Sequence, residues 1–220
     1  MSRPVLFVLA GVNGAGKSSI GGHLLEQAGL SWFNPDSFAR ELVKALNYSQ
    51  EAANAAAWQE GMRRLDWAIQ NGQTHAFETT LGGRSVPARI KAATATHDVH
   101  IWFCGLTTVE QHIARVHLRV ARGGHAIPED LIRQRFQVAR ENLIALMPDL
   151  AGLQIYDNSR DVKDGEAIPD PVLLAQMHFG RLSWPSDPQL LRQTPDWAKP
   201  LLEAALTLTN FAQSERNSSC

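Results

Sequence analysis

Eight residues near the N-terminus could do chemistry by their spacing alone. Gly11-Val12-Asn13-Gly14-Ala15-Gly16-Lys17-Ser18 fits the pattern G-x-x-x-x-G-K-[ST]. Glycines let the backbone turn so that successive N–H groups face inward around a phosphate, and a helix starting at the loop adds its partial positive charge. In such a loop the lysine reaches the outer phosphates of a nucleoside triphosphate and the final hydroxyl ligates Mg²⁺. Gly11, Asn13, Gly14, Ala15, Gly16, Lys17, Ser18 and Ser19 are therefore the expected ATP-binding residues, and Ser18 is the expected Mg²⁺ ligand. The alternative is a glycine-rich turn that binds nothing, and the flanking sequence argues against it. Val5-Leu6-Phe7-Val8-Leu9-Ala10 reads as a buried parallel strand before the loop, and Ile20, Leu24 and Leu25 recur at helical spacing after it.

Phosphoryl transfer to a hydroxyl needs a carboxylate to take the proton and cations to spread the charge. Two carboxylates stand where strands should end: Asp36 in Asn34-Pro35-Asp36, and Glu78 in Phe77-Glu78-Thr79-Thr80-Leu81-Gly82-Gly83-Arg84. Asp36 is the candidate base, with helix capping as its plain alternative. Glu78 could orient the acceptor or hold Mg²⁺ through water, or simply form an ion pair at a strand end. No apolar run ends in Asp as a second metal-holding carboxylate would require, so Mg²⁺ leans on Ser18 with Asp36 or Glu78. Arg115, Arg119 and Arg122 are spaced by four and three and share one helical face, which suits a triphosphate or else a solvated basic face. Gly123-Gly124-His125 would hinge a lid spanning roughly residues 115–135. Arg133, Arg135 and Arg140, on the next helix, are weaker candidates. The eight histidines show no metal-ligand spacing.

The elements that must position these residues alternate. After the loop helix, which should end near Ala28-Gly29, Leu30–Asn34 reads as a second strand and Asp36-Ser37 begins a helix. A long helix spans Ser49 to Asn71, and Thr74–Thr79 is a third strand. A helix from about residue 84 or 86 to Thr96 follows, then the strongest strand, Val99–Leu106. Helices from Val109 to about Arg122 and from Pro128 to about Met147 lead to a strand at Leu153–Tyr156. Asp161–Pro171 is a polar loop, Val172–Phe179 a further strand or antiparallel edge, and Trp197–Thr209 a helix. Alternating strands and helices predict an α/β, three-layer αβα fold of the P-loop NTPase or kinase-like kind, with a mainly parallel sheet of about five to six strands. One domain should run from residue 1 to 211, with a polar, frayed tail over 212–220.

Composition narrows the function classes. A chain of 220 residues that is 44% hydrophobic can bury one substantial core. Its net charge of −1 does not suggest a nucleic-acid partner, and its N-terminal apolar run is too short for a membrane span. Cys104 lies in an apolar run and Cys220 at the terminus, so no disulfide framework is implied, and a reducing cytoplasmic location is expected.

Taken in order, Gly-Val-Asn-Gly-Ala-Gly-Lys-Ser, Asn-Pro-Asp, Glu-Thr-Thr-Leu with Val86-Pro87 behind it, Arg-Val-x-x-Arg-Val-Ala-x-Gly-Gly-His-x-Ile-Pro-Glu, and Tyr156-Asp157-Asn158-Ser159 resemble the zeta-toxin family of P-loop kinases over about residues 4–160. The match is to its short, stand-alone bacterial branch. The resemblance implies ATP-dependent phosphorylation of the 3′-hydroxyl of the aminosugar in UDP-N-acetylglucosamine. It matches Lys17 and Ser18 to the ATP and Mg²⁺ residues, Asn158 to the nucleotide side, and Asp36 to the catalytic base and a further metal candidate. Glu78, Thr79, Thr80 and Arg84 fall on the sugar-nucleotide side. Arg115 and either Arg119 or Arg122 match a phosphate-stabilising arginine pair, in a lid shorter than that of the larger toxins. The family also implies an antitoxin partner. A kinase of another nucleotide or metabolite, and an ATP-binding interaction module of a toxin–antitoxin complex, are the rival readings.

Overall fold

A computed structural model describes residues 2–18, 21, 25, 29–160 and 169–218. Its centre is a six-stranded sheet. In chain order the strands are β1 (Val5–Ala10), β2 (His75–Thr79), β3 (Asp98–Gly105), β4 (Gly152–Asp157), β5 (Val172–His178) and β6 (Arg181–Trp184), and across the sheet they lie β2-β1-β3-β4-β5-β6. The first four are mutually parallel, and β5 and β6 run antiparallel. The fold is thus the α/β architecture expected, with the residue 172–179 stretch resolved as the first strand of an antiparallel edge hairpin.

Parallel strands bury both faces, so β1 and β3 are almost continuously apolar. Leu6, Val8, Val99, Ile101, Phe103, Leu153 and Ile155 form one core with Ile90, Ile132, Leu143 and Leu201 from the helices. Fully burying side chains of this size contributes about 1.5–3 kcal/mol each. Those helices are α1 (Pro35–Leu46), α2 (Gln50–Gln70), α3 (Ser85–Ala93), α4 (Val109–Ala121), α5 (Glu129–Leu146), α6 (Pro188–Arg192) and α7 (Lys199–Ser218). Lys17, Ser18, Gly21 and Leu25 are also helical, and the expected end of this loop helix near Ala28 lies outside the described residues. The backbone of α7 continues to Ser218, through most of the stretch expected as a frayed tail, and Cys220 lies outside the described residues.

The strand expected over Leu30–Asn34 does not form. Only Phe33 pairs, as a single parallel bridge to Phe77, with Phe33 N–H donating to Ala76 O and Glu78 N–H to Phe33 O, both at 2.9 Å. Asn34 then caps α1 by accepting from Ser37 N–H at 3.1 Å, and Pro35 at the first helical turn has no N–H to give a ladder. The chain therefore leaves the sheet after one residue, which sets Asn34 beside Glu78.

Register brings the polar strand ends together. Ala10 pairs with Thr79 on one side and Phe103 on the other, and Gly105 pairs with Asp157. The glycine loop after β1, the Glu78–Thr80 stretch and the Asn158-Ser159 stretch share one edge. β1 has neighbours reached by connections in opposite directions, so this edge is the topological switch point where open α/β sheets bind ligands.

Candidate active site

The loop is shaped by close approach. Gly11 sits at φ 140°, and a side chain there would collide with Cys104 O. Gly14 at φ 84° abuts the backbone of His112 in α4, and Gly16 at φ 83° abuts the Asn158 carboxamide. Only glycine meets both requirements. Ser19, expected on the nucleotide side, lies outside the described residues.

Lys17 and Glu78 are buried, at 7% and 8% exposure, and their charged ends stand 3.4 Å apart. Lys17 Nζ also lies 3.5 Å from Val12 O. Ser18 Oγ donates to Glu78 Oε2 at 2.9 Å, while Asn34 Nδ2 donates to Glu78 Oε2 at 2.8 Å and to Ser18 Oγ at 3.1 Å. Lysine, hydroxyl, carboxylate and carboxamide thus form one connected group across the ends of β1 and β2. Ser18 and Glu78 are hard oxygen donors of the kind Mg²⁺ takes, and they already lie within hydrogen-bond distance of each other. Among the described residues no group of three or more His, Cys, Asp and Glu side chains could hold a metal ion by itself.

Asp36 stands apart from that group, at the first turn of α1, partly exposed. Its carboxylate meets the lid region instead. Arg119 Nη1 is 3.4 Å from Oδ2, and His125 Nε2 is 3.9 Å from Oδ1. The turn after α4 is closed by Gly123 N–H to Val120 O and Gly124 N–H to Arg119 O, both at 2.9 Å, with Gly123 left-handed at φ 88°. That turn carries His125, whose carbonyl accepts from Arg119 Nη2 at 3.3 Å. Burial lowers the His125 pKa against the opposing pull of Asp36, which keeps the imidazole neutral at neutral pH.

The arginine row divides. Arg119 faces Asp36, Arg115 donates to Arg160 O at 2.9 Å, and Arg122 is the exposed C-cap of α4. Thr79 and Thr80 accept from Leu81 and Gly82 N–H at 3.2 and 3.3 Å and shape the turn after β2, where Leu81 has φ 53°. Arg84 is the exposed N-cap of α3. Asn158 donates to Ala15 O at 2.9 Å, so it touches the loop itself.

Asn34 and His112 have no assigned site role from sequence, and Arg135 figures there only as one of three weaker arginine candidates. Arg135 of α5 donates to Asn13 Oδ1 at 2.7 Å, its stem packs on Gly82, and its guanidinium is electrostatically coupled to Asp36. Its signal was legible. Arg135 falls three residues after Ile132 and four before Ala139, on the buried stripe of α5, where an arginine needs a reason. Asn34 is expected only as the end of the second strand and as part of Asn-Pro-Asp, since its contact with Glu78 depends on where Phe33 leaves the sheet. His112 of α4 is buried and accompanies the loop through Asn13 O, 2.8 Å from its Nδ1. Cys104, with burial pushing its thiol up to about 12, is an inert core residue.

A doubly supported glycine loop at the switch point of a mostly parallel sheet defines the P-loop, kinase-like class of α/β fold. The chain belongs to the Zeta toxin family, whose model matches residues 1–164. It is 29% identical over 133 residues to an uncharacterised protein of Haemophilus influenzae, covering 57% of this chain and 88% of that one. Its fold is similar to a chain of the AvrRxo1-ORF1:AvrRxo1-ORF2 complex solved with sulphate ions, at TM-score 0.63 and 19% identity, over 88% of this chain. The present chain spans 65% of that chain's length. The same AvrRxo1 pair with ATP superposes equally well, at TM-score 0.63 and 19% identity, over 88% of this chain and 64% of that one. The PezAT chromosomal toxin–antitoxin system of Streptococcus pneumoniae matches at TM-score 0.50 and 16% identity, over 71% of this chain and 68% of that one. Among the described residues, no helix is long and apolar enough to cross a membrane.

Proposed function

We propose that the protein is a Mg-ATP-dependent kinase that transfers the γ-phosphoryl group of ATP to a hydroxyl of a small molecule, a UDP-aminosugar such as UDP-N-acetylglucosamine. The observation that carries this reading is the connected group of Lys17, Ser18 and Glu78 at the loop, with Asp36 standing apart at the first turn of α1 beside Arg119 and His125. Family membership supports the phosphotransferase reading, and the ATP-bound AvrRxo1 relative supports the nucleotide.

Each residue then has one task. Lys17 neutralises the outer phosphates, exchanging Glu78 for them as its counter-charge. Ser18 and Glu78 would hold Mg²⁺, which supplies charge neutralisation to the β- and γ-phosphates when bound. Asp36 accepts the acceptor's hydroxyl proton, which makes the oxygen nucleophilic as the bond to phosphorus forms. Arg119 orients Asp36 and, with Arg115, Arg122 or Arg135 beside the loop, spreads the charge developing on the transferred group. Thr79 and Thr80, in the turn after β2, and Arg84, at the start of α3, would contact the acceptor. The stretch from residue 115 to 135 closes over the nucleotide. A protein partner is part of this proposal, since both AvrRxo1-ORF1 and PezAT are known as two-component assemblies.

The test is ATP consumption by the purified protein against a panel of UDP-sugars, nucleosides and other metabolites, with products identified by mass spectrometry. A phosphorylated UDP-aminosugar is expected, and Lys17→Ala should lower its formation about a hundredfold or more. Phosphorylation confined to another nucleotide or metabolite would reassign the acceptor. ATP binding without turnover on any acceptor, and with a captured protein partner, would favour the interaction module.

A further inference from the structure

The loop's carbonyls are held from outside, at alternate residues. His112 Nδ1 lies 2.8 Å from Asn13 O, and Asn158 Nδ2 donates to Ala15 O at 2.9 Å. A carbonyl can only accept, so the His112 proton sits on Nδ1 and the ring is the Nδ1–H tautomer. In a trans peptide the C=O of one residue and the N–H of the next point in opposite directions. A donor that draws Asn13 O towards α4 therefore turns Gly14 N–H the other way, and one that draws Ala15 O towards the end of β4 does the same for Gly16 N–H.

We infer that His112 and Asn158 are positioning residues for the nucleotide, each aiming one glycine N–H of the loop into the phosphate cradle by anchoring the preceding carbonyl. The inference rests on the loop being the ATP site proposed above.

His112 is an expensive choice if packing were its only role. Its Nε2 is buried with no hydrogen-bond partner, and its ring meets Phe136 edge-on at 5.6 Å between centroids. An aliphatic side chain would fill the same apolar space without an orphaned acceptor. What it could not supply is the Nδ1–H bond to the loop. Burial also lowers the His112 pKa to about 4, so the ring stays neutral beside Lys17 and Arg115 and keeps the tautomer that the bond needs. Asn158 is equally specific. Its backbone N–H is fixed on Gly105 O at 3.0 Å, and its carboxamide fits against Gly16 only because that residue has no side chain. Asn13 is held a second time, at its side chain, by Arg135. The loop thus takes its shape from α4, α5 and the end of β4.

Calorimetric titration of the full chain with ATP, ADP and AMP separates positioning from packing. His112→Leu keeps the apolar volume and removes the donor, and should weaken ATP and ADP about tenfold while leaving AMP, which lacks the β-phosphate that such a loop cradles, within about twofold. His112→Asn places an amide donor near the Nδ1 position and should restore most of that loss. Asn158→Ala tests the second anchor and should give the same phosphate-dependent loss. Melting curves accompany each variant. Equal ATP affinity in folded His112→Leu and Asn158→Ala would overturn the inference, as would a loss that is the same for ATP and AMP or is not restored by His112→Asn. Wild-type protein that binds no ATP would instead sink the nucleotide-site reading itself.

Discussion

Replacing Glu78 by Gln tests the buried group at its centre. The carboxylate is the counter-charge of Lys17 at 3.4 Å and the acceptor for both Ser18 Oγ and Asn34 Nδ2. At that separation and an effective dielectric of about 20, the gross attraction is about 5 kcal/mol. Removing one member of a buried pair costs about 3–5 kcal/mol, because the other charge stays buried. Ser18 is exposed beside the pair, so water can approach, and Gln keeps one acceptor oxygen. The lower end, about 3 kcal/mol, is therefore expected, which for a chain of this length is a fall in Tm of about 6–12 °C. The deficit should be specific to the empty site. A triphosphate brings its own negative charge to Lys17, so saturating ATP without Mg²⁺ should close most of the gap between variant and wild type, whereas adenosine should not. The assay is thermal unfolding of both proteins alone, with ATP and with adenosine. A nucleotide-free variant that melts within about 1 °C of wild type would refute the coupling of Glu78 to Lys17, and an equal deficit with and without ATP would refute the exchange of counter-charge.

Asp36→Asn keeps size and helix-capping ability but removes the basic oxygen. It should leave the Tm near wild type and slow phosphate transfer at least about a hundredfold, read as initial rate on the identified acceptor. If a stable variant keeps its rate, Glu78 becomes the carboxylate to examine. Arg119→Ala and Arg135→Ala should each lower kcat more than they raise the KM for ATP, by about a thousandfold for whichever contacts the transferred group; unchanged kinetics in both would return them to structural roles. For pH, the His112 pKa falls from 6.5 unfolded to about 4 folded. Between those values the unfolded chain binds the extra proton, so stability rises with pH across the window and is lost as pH falls from 6.5 towards 4. The full swing is about 3 kcal/mol. Urea unfolding from pH 7 to 4 should show this slope in wild type and a shallower one in His112→Asn, while parallel slopes would exclude His112 as its source.

Local chemistry makes the candidate phosphate loop of this protein legible in the sequence. The glycine loop is contiguous, its glycines answer constraints within a few residues, and its strand and helix follow from short-range periodicity. The long helix ended by Ser49 and Asn71, the Pro128 start of α5 and the order of strands and helices were equally local, which is why the α/β class followed from them. The remainder depended on pairings between residues far apart in the chain. The Leu30–Asn34 stretch has strand composition, yet only Phe33 pairs, because Asn34 finds a better partner in Ser37 N–H and Pro35 cannot join a ladder. Three arginines at helical spacing are equivalent in sequence, and the fold separates them: Arg119 meets Asp36, Arg115 meets Arg160 O, and Arg122 is the exposed C-cap of α4. The sequence by itself determined which residues could cradle a phosphate, since that requires only a flexible loop between a strand and a helix. Tertiary structure alone decided which carboxylate stands by Lys17, which by Arg119, and that His112, Asn158 and Arg135 grip the loop. Those choices rest on strand register and on where each helix crosses the sheet edge, which no run of neighbouring residues encodes.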